Sequence, residues 1–132
     1  MKLVVLLDTN ILVSALLFGG NSQTVLEDVL TKQLVGIISP ILLAELSGVL
    51  SKKFPQVNSA AYIRKVKNSF LVVNPSLTIS IQKDDPDNRV LEAAITGRCN
   101  YIITGDKELL GLGKYKYIKI VSPAQFLETK QY

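Results

Sequence analysis

Lys2-Leu3-Val4-Val5-Leu6-Leu7-Asp8-Thr9-Asn10, running into a second apolar stretch from Ile11 to Phe18, commits this chain to a fold. The almost unbroken apolar run fits a central strand of a parallel sheet, covered on both faces. It puts an acidic side chain at the strand's carboxyl end, where open α/β sheets keep their ligand crevices. The plainer alternative is that Asp8 or Asn10 caps the next helix, as Asp and Asn often do. Three later stretches repeat the arrangement.

Outward from this stretch, a helix is expected from about Asn10 to Leu17, then a turn-rich break, Phe18-Gly19-Gly20-Asn21-Ser22. Gln23 to Lys32 reads as a helix with Val25, Leu26, Val29 and Leu30 on one face, and Leu34 to Ser39 as a strand. Ser39-Pro40 signals a helix start, Ser as cap and Pro in the first helical position. That helix reaches about Lys53 on a stripe of Leu42, Leu43, Leu46, Val49 and Leu50, with Ser47 and Ser51 on the wet face. Glu45 falls between Ile41 on one side and Leu42 and Val49 on the other. An unpaired carboxylate on an apolar arc is costly, so Glu45 is expected to have a partner: a metal, a basic group or a proton.

Asn58-Ser59 caps a further helix to about Asn68, its Arg64, Lys65 and Lys67 forming a solvated face. Phe70 to Val73 is a short strand, and Leu77 to Ile81 is extended. Lys83-Asp84-Asp85-Pro86-Asp87-Asn88 is an acidic loop opening a helix that ends at Gly97, a natural C-cap. Tyr101 to Thr104 is a strand, followed by Gly105-Asp106 and a one-turn helix through Leu110. Gly111-Leu112-Gly113-Lys114 fits neither phosphate-loop nor dinucleotide spacing and reads as a turn. Tyr117 to Val121 is the last strand, and Ser122-Pro123 starts a helix towards Lys130. Lys114-Tyr115-Lys116-Tyr117-Ile118-Lys119 could contact RNA through charge and stacking; a lysine-protected edge strand is preferred. The strand-helix alternation, without repeats or a linker, predicts one α/β domain over residues 1–132. Its sheet is expected to be largely parallel, with helices on both faces.

Composition narrows the chemistry. A chain of 132 residues, 48% of them apolar, is long enough for one domain that buries about two-thirds of its unfolded surface. No apolar run approaches the ~20 residues of a membrane span. No signal peptide is read at the N-terminus, and a lone Cys99 suits a reducing cytoplasm. There is no histidine, which removes Ser-His-Asp, Cys-His and imidazole acid–base catalysis. A zinc site would need several His or Cys ligands. Hydrolysis would rest on carboxylates, hydroxyls, lysines or a hard metal ion. A net charge of +4 hints at a polyanionic partner.

Four acids follow one logic. Asp8 ends the first strand, Glu45 lies early in the helix after the second, Asp87 stands at a helix start, and Asp106 just follows the strand ending at Thr104. Strand ends that share a direction share an edge, so these groups can converge. Four carboxylates together repel and need a compensating cation. Oxygen-only donors point to Mg²⁺ or Mn²⁺, which near a phosphodiester can polarise it and lower the pKa of a bound water. A basic body around an acidic pocket suits phosphate-backbone binding. Each Asp could alternatively be a helix cap, though Glu45 could not.

Asp8-Thr9-Asn10-Ile11-Leu12-Val13-Ser14-Ala15, Ser39-Pro40 with Glu45, Asp85-Pro86-Asp87-Asn88 and Thr104-Gly105-Asp106 together resemble the motifs of the PIN-domain family, nearest to its toxin branch. The resemblance covers essentially the whole chain. It implies a three-layer α/β/α PIN-like fold with a largely parallel central sheet, and Mg²⁺- or Mn²⁺-dependent cleavage of RNA. It also implies a protein antitoxin over the active site, and a homodimer. Asp8, Glu45, Asp87 and Asp106 would be the catalytic, metal-binding acids, with Asn10 and Thr104 as supporting polar groups. Pro86 stands where relatives often carry an acid, so Asp85 competes with Asp87; Asp87 is favoured because it lies on the side of Val90 and Leu91. The same departure is the basis of a second reading, a PIN-like module that binds RNA or protein without cutting. A small-molecule phosphatase is a weaker third, because Asn10 replaces the second acid of a DxD start. Arg89 is a candidate for a phosphate contact or for pairing with Asp85, and Cys99 for simple packing.

Overall fold

The computed structural model of the chain describes residues 1–130. The order is β1 (Val4–Leu7), α1 (Thr9–Leu17), α2 (Gly20–Leu30), β2 (Val35–Ile38), α3 (Pro40–Lys53), α4 (Ser59–Ser69) and β3 (Leu71–Val72), then α5 (Asp85–Thr96), β4 (Tyr101–Ile103), α6 (Lys107–Leu112), β5 (Lys114–Tyr115), β6 (Ile118–Val121) and α7 (Pro123–Glu128). The strands lie side by side in the order β3-β2-β1-β4-β6-β5. All pairs are parallel except β5 with β6. The expected α/β class with a mostly parallel sheet is the one observed. β1 occupies the middle, and Val5, Leu6 and Leu7 are essentially inaccessible to solvent, as a run covered on both faces requires.

Strand order also fixes where a crevice opens. From β1 the chain moves outward through β2 to β3, then crosses back to β4 on β1's other side. Right-handed crossovers of opposite sense put α1–α4 and α5 on opposite faces. The reversal between β1 and β4 leaves a gap at their carboxyl ends. There the Asp8 N–H donates to the Ile103 carbonyl at 3.0 Å, fastening the two strand ends together.

Several local expectations are corrected. The break after α1 is narrower than the run from Phe18 to Ser22: α2 already begins at Gly20. Gly19 (φ +73°) and Gly20 (φ +66°) take left-handed backbone and turn the chain within two residues. The last strand and the lysine-rich segment are not one edge. Lys114–Tyr115 and Ile118–Val121 form a hairpin that turns through Lys116 (φ +53°), so β5 is the edge and β6 is interior. Gly111 and Leu112 belong to α6, and only Gly113 (φ +72°) ends it. Gly97 follows α5 but keeps ordinary right-handed backbone; the left-handed residue is Arg98 (φ +54°). Gly97 is needed for room, since a Cβ there would sit 2.7 Å from the Ile37 side chain. On α3, Leu42, Leu46 and Leu50 are buried, whereas Leu43 and Val49 are half-exposed. Leu77 to Ile81 joins no strand; side chains of α5 hold this region instead. Glu92 accepts from the Ile79 N–H at 2.8 Å, and Asn88 both accepts from and donates to the Gln82 backbone.

A candidate metal-dependent active site

Ser39 ends β2 and caps α3, its Oγ accepting from the Leu42 N–H at 3.3 Å. With the helix start fixed, its register is fixed: Glu45, Val49 and Lys53, each four residues apart, form one stripe. Asn10, Ser14 and Phe18 form the matching stripe on α1. Both stripes line one open cavity of about 440 Å³, together with Asp8, Asp84, Asp87 and Asp106. Its size falls within the ~300–1,000 Å³ of ordinary ligand sites. Asp8, Glu45, Asp87 and Asp106 therefore share one cleft, at the crevice that the strand order predicts.

Asp8 is held at both oxygens. Oδ1 accepts from the Thr9 N–H at 2.7 Å and Oδ2 from the Thr104 hydroxyl at 2.7 Å. Thr104 is fully buried and does not line the cavity. Its Oγ1 also accepts from the Asp106 N–H at 3.0 Å, so one hydroxyl ties the ends of β1 and β4 to a common geometry. Thr104 is thus a positioning residue, while Asn10 is exposed and lines the cleft directly. Asp106 caps α6, with Oδ2 accepting from the Leu109 N–H at 3.0 Å. Capping and facing the cleft prove to be joint roles of Asp8 and Asp106, because a carboxylate has more lone pairs than one cap uses.

Asp87 is buried in the first turn of α5, and its Oδ2 has no hydrogen-bond partner. Asp85 is exposed, lines a neighbouring cavity, and accepts from Asn88 at 3.4 Å. Of Asp85 and Asp87 it is Asp87 that lines the cleft, joined there by Asp84 of the same loop. Burial pushes the Asp87 carboxyl up to about 7, helped by the close approach of the Asp106 carboxyl and by the charges of Asp106, Asp8 and Asp84. Asp8 is raised as well, first by burial; its bonds to Thr104 and Thr9 oppose this, and the charges of Glu45 and Asp106 add to it. The N-termini of α1, α5 and α6 all open on the cleft, and their dipoles offset part of the repulsion.

Glu45 has no ion-pair partner among the described residues, and its charge is one of those that raise Asp8. Arg89 does not pair with Asp85: its guanidinium donates to Glu92 at 2.8 Å and to the Ile79 carbonyl at 3.1 Å, at the edge of a neighbouring cavity that it lines with Glu45 and Asp85. Among the described residues, no three acidic or cysteine side chains stand so as to hold a metal ion. The acids share a cleft without forming a finished coordination shell, as unneutralised charges that repel would. The donor set itself is all oxygen, with Asp87 Oδ2 and Thr9 Oγ1 both buried and unsatisfied, which fits a hard divalent cation. Sequence reasoning missed Asp84, Phe18 and Lys53 as cleft residues; the spacing of four from Asn10 and from Glu45 was the available signal for the last two.

Comparison with known proteins agrees with this architecture. A family model described as PIN domain matches residues 4–108. An uncharacterized protein of Methanocaldococcus jannaschii is 29% identical over 142 residues, covering 96% of this chain and 91% of that one. A chain in the crystal structure of VapBC2 from Rickettsia felis, bound to a DNA fragment from their promoter, has the same fold. Its TM-score is 0.63 at 18% identity, with 89% of this chain and 97% of that chain covered. With the family model spanning most of its length and the acids at the crevice between β1 and β4, the chain belongs to the PIN-domain family.

Proposed function

We propose that this chain is a Mg²⁺- or Mn²⁺-dependent endoribonuclease that hydrolyses RNA phosphodiester bonds, and that it is the toxin of a toxin–antitoxin pair. The observation that carries the reading is the crowding of Asp8, Glu45, Asp87 and Asp106 in one cleft, with Asp87 buried and one of its oxygens unsatisfied. Such a group is stable only when protonated or beside a cation. Membership of the PIN family and the likeness to a chain of a VapBC2 complex support the rest. By the same likeness a protein antitoxin is the proposed partner, and the resemblance to the family's toxin branch makes a homodimer the proposed assembly. A cytoplasmic location fits the single, buried Cys99; among the described residues no helix is long and apolar enough to cross a membrane.

In this reading Asp8, pre-oriented by Thr9 and Thr104, and Asp106, fixed by its cap, supply oxygens from the sheet edge. Glu45 and Asp87 supply theirs from α3 and α5. Asn10 offers an amide to a phosphate oxygen or to the attacking water. When bound, the divalent ion neutralises these acids, polarises the phosphate and lowers the pKa of the attacking water.

The test is cleavage of single-stranded RNA by the purified protein with Mn²⁺ or Mg²⁺, compared with EDTA and with Asp8→Asn. Activity that requires the ion and is lost in Asp8→Asn is expected; activity indifferent to both refutes the proposal. A non-catalytic binding module is the second reading, carried by Pro86 standing between Asp85 and Asp87 where an adjacent acid is the usual pattern. It predicts RNA retention without cleavage under any divalent ion, unchanged by Asp8→Asn.

A further inference from the structure

We propose that Phe18 and Lys53 form a flanking-nucleotide subsite at the rim of the acidic cleft. One unpaired base would stack on the Phe18 ring while Lys53 holds an adjoining phosphate. The inference rests on the nuclease reading for its substrate, and on separate observations for its geometry.

Phe18 is 77% exposed, whereas Phe70 and Phe126 are 5% and 0% exposed and Phe54 is half-buried. Leaving such a ring in water forgoes burial that the other phenylalanines obtain. Its backbone is not a loose tip. Phe18 closes α1, its N–H donating to the Ser14 carbonyl at 2.8 Å, and the Gly19 N–H donates to the same oxygen at 3.1 Å. The left-handed Gly19 and Gly20 then turn the chain away, so the ring is presented rather than packed.

Among the described residues Lys53 is the only cation lining the cavity, alongside five carboxylates, and it has no ion-pair partner. Phe18 ends the stripe that begins at Asn10, and Lys53 ends the stripe that begins at Glu45. Eight helical residues place Phe18 about 12 Å from Asn10 and Lys53 about 12 Å from Glu45 along their helices. That is too far for the scissile phosphate and suits a neighbouring nucleotide. Gly20 and Asn21, next in the chain, are exposed and add no apolar surface, and Val13, Val49 and Phe54, which line the same cavity, are half-buried. The patch is therefore about one ring wide, closer to a base than to the hundreds of square ångströms of a protein contact. Aromatic stacking accepts any base, and a lysine beside it reads only the backbone.

The experiment combines an abasic scan of a short single-stranded RNA with wild-type protein, Phe18→Ala, Phe18→Trp and Lys53→Ala. The expected result is one position at which removing the base raises KM about tenfold to a hundredfold for wild type. Phe18→Ala should show that loss on intact RNA and no further loss on the abasic RNA, and Phe18→Trp should restore it. Lys53→Ala should weaken all oligonucleotides alike and flatten the salt dependence. Phe18→Ala cleaving intact and abasic RNA as wild type does overturns the subsite while leaving the nuclease standing. Should wild type not cleave, 2-aminopurine in the same RNA decides: quenching on binding that Phe18→Ala abolishes sustains the subsite without the nuclease, and absent quenching overturns it. A Phe18→Ala protein that changes oligomeric state while handling RNA normally overturns the subsite in favour of a protein interface.

Discussion

Thr104 shows how much of the cleft hangs on one hydroxyl. It donates to Asp8 and accepts from the Asp106 N–H, with no water to replace it, since the residue is fully buried. Thr104→Val should therefore cut cleavage about 10–100-fold and lower stability by about 1–3 kcal/mol. Thr104→Ser, which keeps the bridge, should stay near wild type in turnover and in urea unfolding. Asp87 gives the pH dependence. Its ordinary value is 3.8 and its folded value about 7, so the folded state holds the proton more tightly than the unfolded state. Stability from this group is complete below about pH 4 and is lost as pH rises to 7, because the unfolded chain then binds fewer protons. Melting temperature in EDTA should fall across that window, and Asp87→Asn should flatten the fall. A fall equally steep in Asp87→Asn would show that the burial of Asp87 is not its cause.

At the scale of elements, register comes from caps and from close approaches. Ser39 is almost wholly buried and sets the start of α3, and with it the direction of Glu45. Ser39→Ala should cost about 1 kcal/mol in chemical denaturation. β2 packs so closely under the helices that a Cβ on Gly36 would lie 2.6 Å from the Phe70 ring and 2.7 Å from Val29. Gly36→Ala should destabilise by about 1–3 kcal/mol from overpacking alone; Phe70→Leu in the same chain should recover part of it. Additive losses in the double variant would contradict a steric origin. Neither glycine contact was legible in the sequence, because Gly36 and Phe70 are far apart in the chain and meet only through the sheet. Gly97 was legible as a helix end, yet its reason is the Ile37 side chain on another strand.

For the whole molecule, the decisive quantity is the repulsion stored among acids that arrive from four segments. A cation that relieves it should stabilise the native state by about 2.7 kcal/mol at a hundredfold excess over its dissociation constant. For a chain of this size that is a rise of several degrees in melting temperature. Mn²⁺ should give that rise in wild type and little of it in Asp8→Asn, measured by calorimetry; equal shifts in both would locate the ion elsewhere. By itself the sequence determined the alternation of strands and helices, the Ser39 and Ser122 caps, the central place of Val4–Leu7 and the candidacy of Asp8, Glu45 and Asp106. Those are local properties, set by apolar periodicity and by side chains bonding to their own backbone. Only the tertiary structure decided that Asp87 rather than Asp85 enters the cleft, that Arg89 bonds to Glu92, that Thr104 orients Asp8 from behind, and that Phe18 and Lys53 line one cavity. Each depends on strand order and on which neighbour fills a given space, and pairings between distant segments leave no periodic trace in a single chain.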